Sequence, residues 1–255
     1  MRRHELLQGL HQVLQPRTYF EIGVRKGFSL RLSRTSSVAV DPHYEVTGEL
    51  ECDLHLVRTT SDEFFARKHP FAHFDEPLVD LAFIDGMHLA EFALRDFINT
   101  ERYCHPGSVI VLDDMLPRMA IQAGRNRVGP AATGTWAGDV YKLIETLRTV
   151  RPDLLLLELD TLPTGTLVVL LADPADVTLA AAYDGLVRRY VVPDPQVVPE
   201  VLMSRSRAIR PEELLASPVW RQVRRARRLS PAKARQALRD AYSHAGLSTG
   251  SGSEH

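Results

Sequence analysis

At 255 residues the chain has room for one large α/β domain with a short appendage, and little for two full domains. A hydrophobic share of 44% and a charged share of 25% are ordinary for a globular protein, and a net charge of -1 excludes a global pull toward nucleic acid or acidic membranes. Cys52 and Cys104 are far apart and lack CxxC spacing, which argues for free thiols in a reducing compartment and against a disulfide or a metal pair. The amino terminus, Met-Arg-Arg-His-Glu-Leu-Leu-Gln, lacks the apolar run of a signal peptide, and no stretch is long enough to span a bilayer. The expectation is a cytoplasmic protein with no membrane partner.

Strand-like and helix-like segments alternate, the pattern of a mostly parallel sheet covered by helices. Leu6, Leu7, Leu10 and Leu14 share one face of a first helix over 3–14, ended by Pro16. Strands are predicted at 18–24, 37–40, 50–58, 78–84 and 108–112. Helices are predicted from Gly27 to about Arg34, from Ser61 (a candidate cap) to Arg67, over 89–104, and over 139–150. Segments 154–159 and 166–171, separated by Asp160-Thr-Leu-Pro-Thr-Gly, read as a closing antiparallel hairpin. The predicted architecture is therefore α/β: a Rossmann-like, doubly wound, seven-stranded, mostly parallel sheet with an antiparallel last hairpin and a C-terminal helical tail. Three regions follow: a core over 1–172, an extension over 173–245 with Pro-rich connections and basic helices, and a Gly/Ser-rich end over 246–255 that should be disordered.

Two apolar strands end in charge. Asp80-Leu-Ala-Phe-Ile-Asp85-Gly-Met-His88 delivers a carboxylate and then an imidazole, and Gly107-Ser-Val-Ile-Val-Leu-Asp113-Asp114 ends in two adjacent carboxylates. Such charges lie at the carboxyl edge of a sheet, where open α/β folds bind ligands. Taken separately, Asp85 could cap a helix and Asp113-Asp114 could form a polar turn, but neither reading explains their coincidence on neighbouring strands. Oxygen-only donors favour magnesium, with manganese or calcium as alternatives, over zinc or copper. His88 fits a general base, ahead of a metal ligand and of a packed helix-start residue.

A second pair of features sits earlier. Glu21-Ile-Gly23-Val-Arg-Lys-Gly27-Phe-Ser29 lies where the first strand meets a helix, and glycines there allow close backbone approach to a carboxylate or phosphate. A tight packing turn explains that motif equally well. Asp41, ending the second strand, is placed to accept hydrogen bonds from ribose hydroxyls, or simply forms a turn before Pro42. Together the two favour an adenosine-containing ligand.

ExGxxxG on the first strand, an acid after the second, Ser61-Asp62 after the third and the closing hairpin resemble class I S-adenosylmethionine-dependent methyltransferases over roughly residues 15–172. Within them, Phe-Ile-Asp-Gly-x-His followed by Pro-Gly-Ser-Val-Ile-Val-Leu-Asp-Asp is similar to metal-dependent small-molecule O-methyltransferases. The nearest branch acts on macrolide sugars, and catechol-type enzymes are more distant. The resemblance implies that Glu21, Gly23 and Ser29, with Gly27 in the same turn, hold the methionine part of S-adenosyl-L-methionine. It also implies that Asp41 holds the ribose and that Ser61 and Asp62 sit by the adenine. Asp85, counted with the cofactor residues as well, would hold Mg2+ with Asp113 and Asp114, and His88 would be the catalytic base. Catechol-type enzymes carry an amide at the last ligand position and a lysine base, so Asp114 makes this site more acidic.

The implied activity is O-methylation of a small-molecule acceptor, a sugar or glycosylated natural product. Trp136 and Tyr141 are candidate walls of the acceptor pocket, with Asp139 reading a hydroxyl or capping the next helix. The loop over 117–129, with Arg118, Arg125, Asn126 and Arg127, is a candidate lid. The arginine-rich stretch from Trp220 to Tyr242 reads as helices packed against their own domain or a partner subunit, which admits a homo-oligomer. It lacks the interleaved aromatics of a nucleic-acid arm. Two other functions compete: a metal-dependent, antibiotic-hydroxylase-like enzyme on the same fold, and a non-catalytic cofactor-binding protein that recruits a partner through its basic tail.

Overall fold

The computed structural model describes residues 1–127 and 135–247. Seven strands form one sheet: β1 (Thr18–Ile22), β2 (Ser36–Val40), β3 (Leu54–Val57), β4 (Leu81–Ile84), β5 (Val109–Leu112), β6 (Leu155–Leu159) and β7 (Thr166–Leu170). Their order is β3-β2-β1-β4-β5-β7-β6, parallel through β5, with β7 antiparallel to both β5 and β6. This is the doubly wound sheet with a closing hairpin that the sequence predicts. Its direction of winding reverses between β1 and β4, the crevice where such folds bind ligands.

Strand side chains alternate between two cores. On one face Phe20, Val38, Ala82, Ile110 and Val169 pack against α3 (Ala90–Glu101), α4 (Lys142–Val150) and α5 (Thr178–Tyr190). On the other, Tyr19, Ala39, Phe83, Val111 and Val168 pack against α1 (Arg3–Leu14), which presents the predicted leucines Leu6, Leu7, Leu10 and Leu14. The segment beyond residue 172 also covers this second face. Leu214 of α7 (Pro211–Ala216), Trp220 and Val223 of α8 (Val219–Ala226) and Leu238 of α9 (Pro231–His244) belong to the same buried cluster. Phe64 of the short α2 (Ser61–Phe65) and Leu202 of α6 (Glu200–Met203) belong instead to the first cluster.

Much of the arginine in this C-terminal segment is spent inside the fold. Arg224 donates to Val13 O, and Arg227 donates to Leu14 O at 3.0 Å and Gln15 O at 2.9 Å, satisfying the open carbonyls at the end of α1. Arg205 donates to Leu116 O at 2.8 Å and Pro163 O at 3.0 Å, tying the chain after β5 to the β6–β7 turn. The basic helices thus pack on their own domain, one of the two sequence expectations.

Three local differences have physical causes. The predicted helix after Gly27 is only a single 3-10 turn, Leu30–Leu32, because Ser29 turns its hydroxyl inward to Glu21 and β2 already begins at Ser36. The cap of α2 is Thr60, whose hydroxyl accepts from Glu63 N in a capping box, so Ser61 is the first helical residue. β3 is shorter than predicted, as befits an edge strand. Of the predicted disordered end, residues 248–255 lie outside the described residues, as do residues 128–134, which include the last two positions of the candidate lid. Among the described residues, no helix is long and apolar enough to cross a membrane.

The amino ends of β1 and β4 are joined by a buried carboxylate. Asp80 accepts from Arg17 N at 2.7 Å and Arg17 Nη2 at 3.1 Å, and meets His105 Nε2 at 2.7 Å and Arg227 Nε at 3.5 Å. Burial alone would raise its pKa, but the bonds from His105 and Arg17 outweigh burial and hold it well below the ordinary carboxylate value. Asp80→Asn strands these cations, so urea denaturation should show a loss of about 3 kcal/mol. Because the native pKa is depressed, the loss should be full at neutral pH and shrink as pH falls below about 4. A loss that is equal at pH 3 and pH 7 would refute this account.

Candidate active site

The site is built where β1, β4 and β5 end. Gly23, one residue past β1, has φ 91°, and a Cβ there would lie 1.9 Å from Asp85 O. Only glycine permits the two strand ends to approach so closely. Gly27 (φ 75°) closes the following turn through its N–H to Val24 O at 2.8 Å. Glu21 lies fully buried beneath this turn, where Tyr19 Oη and Ser29 Oγ each donate to its carboxyl at 2.6 Å. Burial, together with Asp85 and Asp41 nearby, pushes its pKa up to about 8 against those two bonds. Asp41 accepts from Arg25 N at 2.7 Å and His43 N at 2.6 Å, joining the β1 and β2 loops at the crevice. Asp62, next to Ser61, pairs with Arg95 Nη2 at 2.5 Å.

Across the crevice, His88 stands between two carboxylates: Nε2 is 3.1 Å from Asp85 Oδ1 and Nδ1 is 3.1 Å from Asp114 Oδ2. Donor atoms of Asp85, His88 and Asp114 all lie within 4.8 Å of one another. His88 (φ 58°) and Asp114 (φ 63°) are both non-glycine residues in the left-handed region, a strained geometry that turns their side chains together. Thr164 donates to Asp114 Oδ1. A shallow cleft opens beside them, lined by Asp85, Gly86, Met87, His88 and Asp96 among others.

Asp113 does not join this group. Its Oδ2 lies 3.0 Å from Arg3 Nε, at the start of α1. Burial, then repulsion from Asp114 and Asp85, holds the Asp113 carboxyl far above the ordinary value despite Arg3. Burial also pushes Asp114 up to about 6, partly offset by His88. Burial would raise Asp85, but the bond from His88, its charge and those of Arg3 and His4 together hold it below its ordinary value. His88 is raised in turn: burial opposes its protonation, but Asp85 and Asp114 prevail. Carboxylates this crowded are short of positive charge, and an oxygen-rich set of this kind suits a hard divalent cation.

The loop after β5 closes on His88 from above. The Trp136 ring stacks on the imidazole with centroids 5.0 Å apart and planes 8° from parallel, while Trp136 Nε1 donates to Gly124 O at 2.7 Å. Gly138 (φ 65°) makes this closure possible, since a Cβ there would sit 1.7 Å from His88 O. Asp139 is turned inward, not toward an acceptor. It accepts from Ala90 N at 2.8 Å, capping α3 instead of its own helix, and pairs with Arg125 at 2.6 Å and Lys142 at 2.7 Å. Tyr141 is buried and donates to Val197 O at 3.0 Å, away from the cleft. Arg125 is bound to Glu91 and Asp139, and Arg118 to Asp160, so neither is a free lid residue. Arg3, Gly138, Thr164 and Asp96 escaped the sequence reading. Asp96 is a buried acid pushed up to about 7 by burial, with Oδ1 unpaired.

Residues 20–115, from β1 to just past β5, match the family model of a methyltransferase domain. The strand order of the sheet is that of a Rossmann-like methyltransferase fold. No curated protein matches the chain. Solved structures similar to it include the O-methyltransferase TomG of Streptomyces achromogenes, involved in tomaymycin synthesis and bound to SAM. That pair shares 17% identity over 67% of this chain and 80% of the other, with a TM-score of 0.46. An SAH-bound O-methyltransferase of Bacillus cereus has 16% identity over 66% and 80%, with a TM-score of 0.46. SAH-bound PaMTH1 of Podospora anserina has 14% identity over 67% and 78%, with a TM-score of 0.46. Within the matched stretch lie Glu21, Gly23, Asp41, Asp85, His88, Asp113 and Asp114, whereas Trp136 lies outside it.

The buried Glu21 gives a test that needs no ligand. Its native pKa, about 8, lies above the ordinary 4.5, so the fold prefers the neutral acid. Stability from this group is full below pH 4.5 and declines as pH rises toward 8, by up to about 1.4 kcal/mol per pH unit. Glu21→Gln is neutral throughout and should lack this decline. Unfolding free energies measured from pH 5 to 8 should shift steadily in favour of the variant; parallel curves would overturn the assignment.

Proposed function

We propose that the protein transfers the methyl group of S-adenosylmethionine to a hydroxyl of a small molecule, assisted by a divalent cation. The observation that carries this reading is the convergence of Asp85, His88 and Asp114 at the strand ends of the stretch that matches a methyltransferase domain, across the Gly23 crossing from Asp41. The resemblance of the Asp85-to-His88 and Asp113-Asp114 segments to macrolide-sugar enzymes makes a sugar or glycosylated natural product the acceptor class.

On the donor side, Glu21, Gly23, Gly27 and Ser29 shape the turn that receives the methionine part. Asp41 keeps lone pairs for ribose hydroxyls beyond its two backbone bonds, and Ser61 and Asp62 flank the adenine end. S-adenosylmethionine supplies an electrophilic methyl on a sulfonium. A divalent cation, magnesium by the chemistry of its donors, would be held by Asp85 and Asp114 and would polarise the acceptor hydroxyl. The chain's own contribution is then alignment and proton removal. As the acceptor oxygen forms its bond to the methyl carbon and the carbon–sulfur bond breaks, the hydroxyl proton passes to His88. Trp136 holds the imidazole plane, and the Gly138–Asp139 lock on α3 holds Trp136.

Calorimetry should show S-adenosylmethionine binding, weakened in Asp41→Ala by about 1.5–3 kcal/mol for the lost charged acceptor. Turnover on a panel of sugars and phenols should vanish on chelation and return with magnesium; full turnover after exhaustive chelation would refute the metal. His88→Ala should lower the methyl-transfer rate by about 10²–10⁴ with cofactor affinity unchanged. The wild-type rate should fall as pH drops through the raised pKa of His88, because only the neutral ring accepts a proton; a variant with a wild-type rate sinks the base role.

A further inference from the structure

Arg3 is held where a charge is needed. It is the first residue of α1, whose four leucines are fixed in the core. The start of the helix is pinned by Leu162 N to Met1 O at 2.9 Å, Arg3 N to Leu162 O at 3.3 Å and the Glu5 bond to Arg2 N at 2.6 Å. From this anchor the Arg3 side chain reaches over the sheet edge to Asp113, which is almost wholly buried, with 2% of its side chain exposed. Neither Arg3 Nε nor Asp113 Oδ2 makes a hydrogen bond, so the 3.0 Å contact is one of charge.

The three carboxylates, Asp85, Asp113 and Asp114, carry three negative charges when ionised. A divalent cation brings two positive charges, and Arg3 brings the third. The donor atoms are divided in the same way: those of Asp85, Asp114 and His88 lie together within 4.8 Å, and Asp113 faces the guanidinium instead. We infer that Arg3 is a positioning residue that pairs with Asp113 and keeps it out of the ligand set, leaving Asp85 and Asp114 to hold the cation beside His88. This rests on the metal-assisted reading above and narrows it, since the residue type alone makes Asp113 as good a ligand as Asp114. Freed of Arg3, Asp113 would add an uncompensated carboxylate beside the cation, strengthening its attraction.

Mn2+ titration by calorimetry of the full chain, without cofactor, tests this in four proteins: wild type, Arg3→Gln, Asp113→Asn and the double variant. Arg3→Gln should bind Mn2+ about tenfold more tightly, and Asp113→Asn, which leaves Arg3 uncompensated, about tenfold more weakly. The double variant should return to near wild-type affinity, and Arg3→Lys should resemble wild type. A general structural role for Arg3 would not produce tighter binding that depends on Asp113. Wild-type binding that Asp113→Asn abolishes makes Asp113 a ligand and overturns this inference alone, as does an unchanged or weaker affinity in Arg3→Gln. Absence of Mn2+ binding in all four proteins removes the metal reading and this inference with it.

Discussion

The register of two neighbouring strands sets the terms for everything at the sheet edge. Ile84 pairs with Leu112 in a parallel ladder, so the next residue on each strand, Asp85 and Asp113, must emerge side by side, with Asp114 following. Like charges so placed repel, and burial magnifies the repulsion. The surrounding features all bear on that one difficulty. His88 adopts a strained backbone to stand between two of the carboxylates, Thr164 donates to one of them, and Arg3 arrives from the far end of the sequence to face the third. Such a concentration of unfavourable charge and backbone strain is expected where binding a cation recovers the cost.

That arrangement depends in turn on the second helical layer. Arg3 reaches the site only because α1 lies in a fixed position, and α1 is clamped at its other end by Arg224 and Arg227 of the C-terminal helices. Arg227 also touches Asp80, whose partners Arg17 and His105 join the opposite ends of the same strands. The basic C-terminal segment thus connects the sheet's amino edge, α1 and the carboxyl edge without contributing a group to the chemistry.

The parts of this design that depend on short-range pattern were legible in the sequence. The four leucines of α1 repeat at helical spacing, strands ending in acids announce a ligand edge, and Glu21-x-Gly23 marks the close crossing of β1 and β4. The site's long-range partners were not. Nothing in Met1–Arg3 announces a link to Asp113, 110 residues away, and Asp139, beginning a loop-to-helix segment, gives no sign that it caps α3 in place of its own helix. Tyr141 failed as a pocket wall for a similar reason: its partner, Val197 O, comes from a Pro-rich connection with no periodic signal. The two readings of the basic tail shared the same residues, and only the acceptor carbonyls on α1 separate them.

The stacking of Trp136 on His88 has an optical consequence. The chain has two tryptophans, and the other, Trp220, is buried in the second core with its indole N–H bonded to Leu214 O at 2.8 Å. Imidazolium quenches an adjacent indole far better than neutral imidazole does. The emission of Trp136 therefore reads the charge on the very ring proposed to take the proton, while Trp220 supplies a constant background. The protein carries its own fluorescent indicator of events at His88, with no label attached.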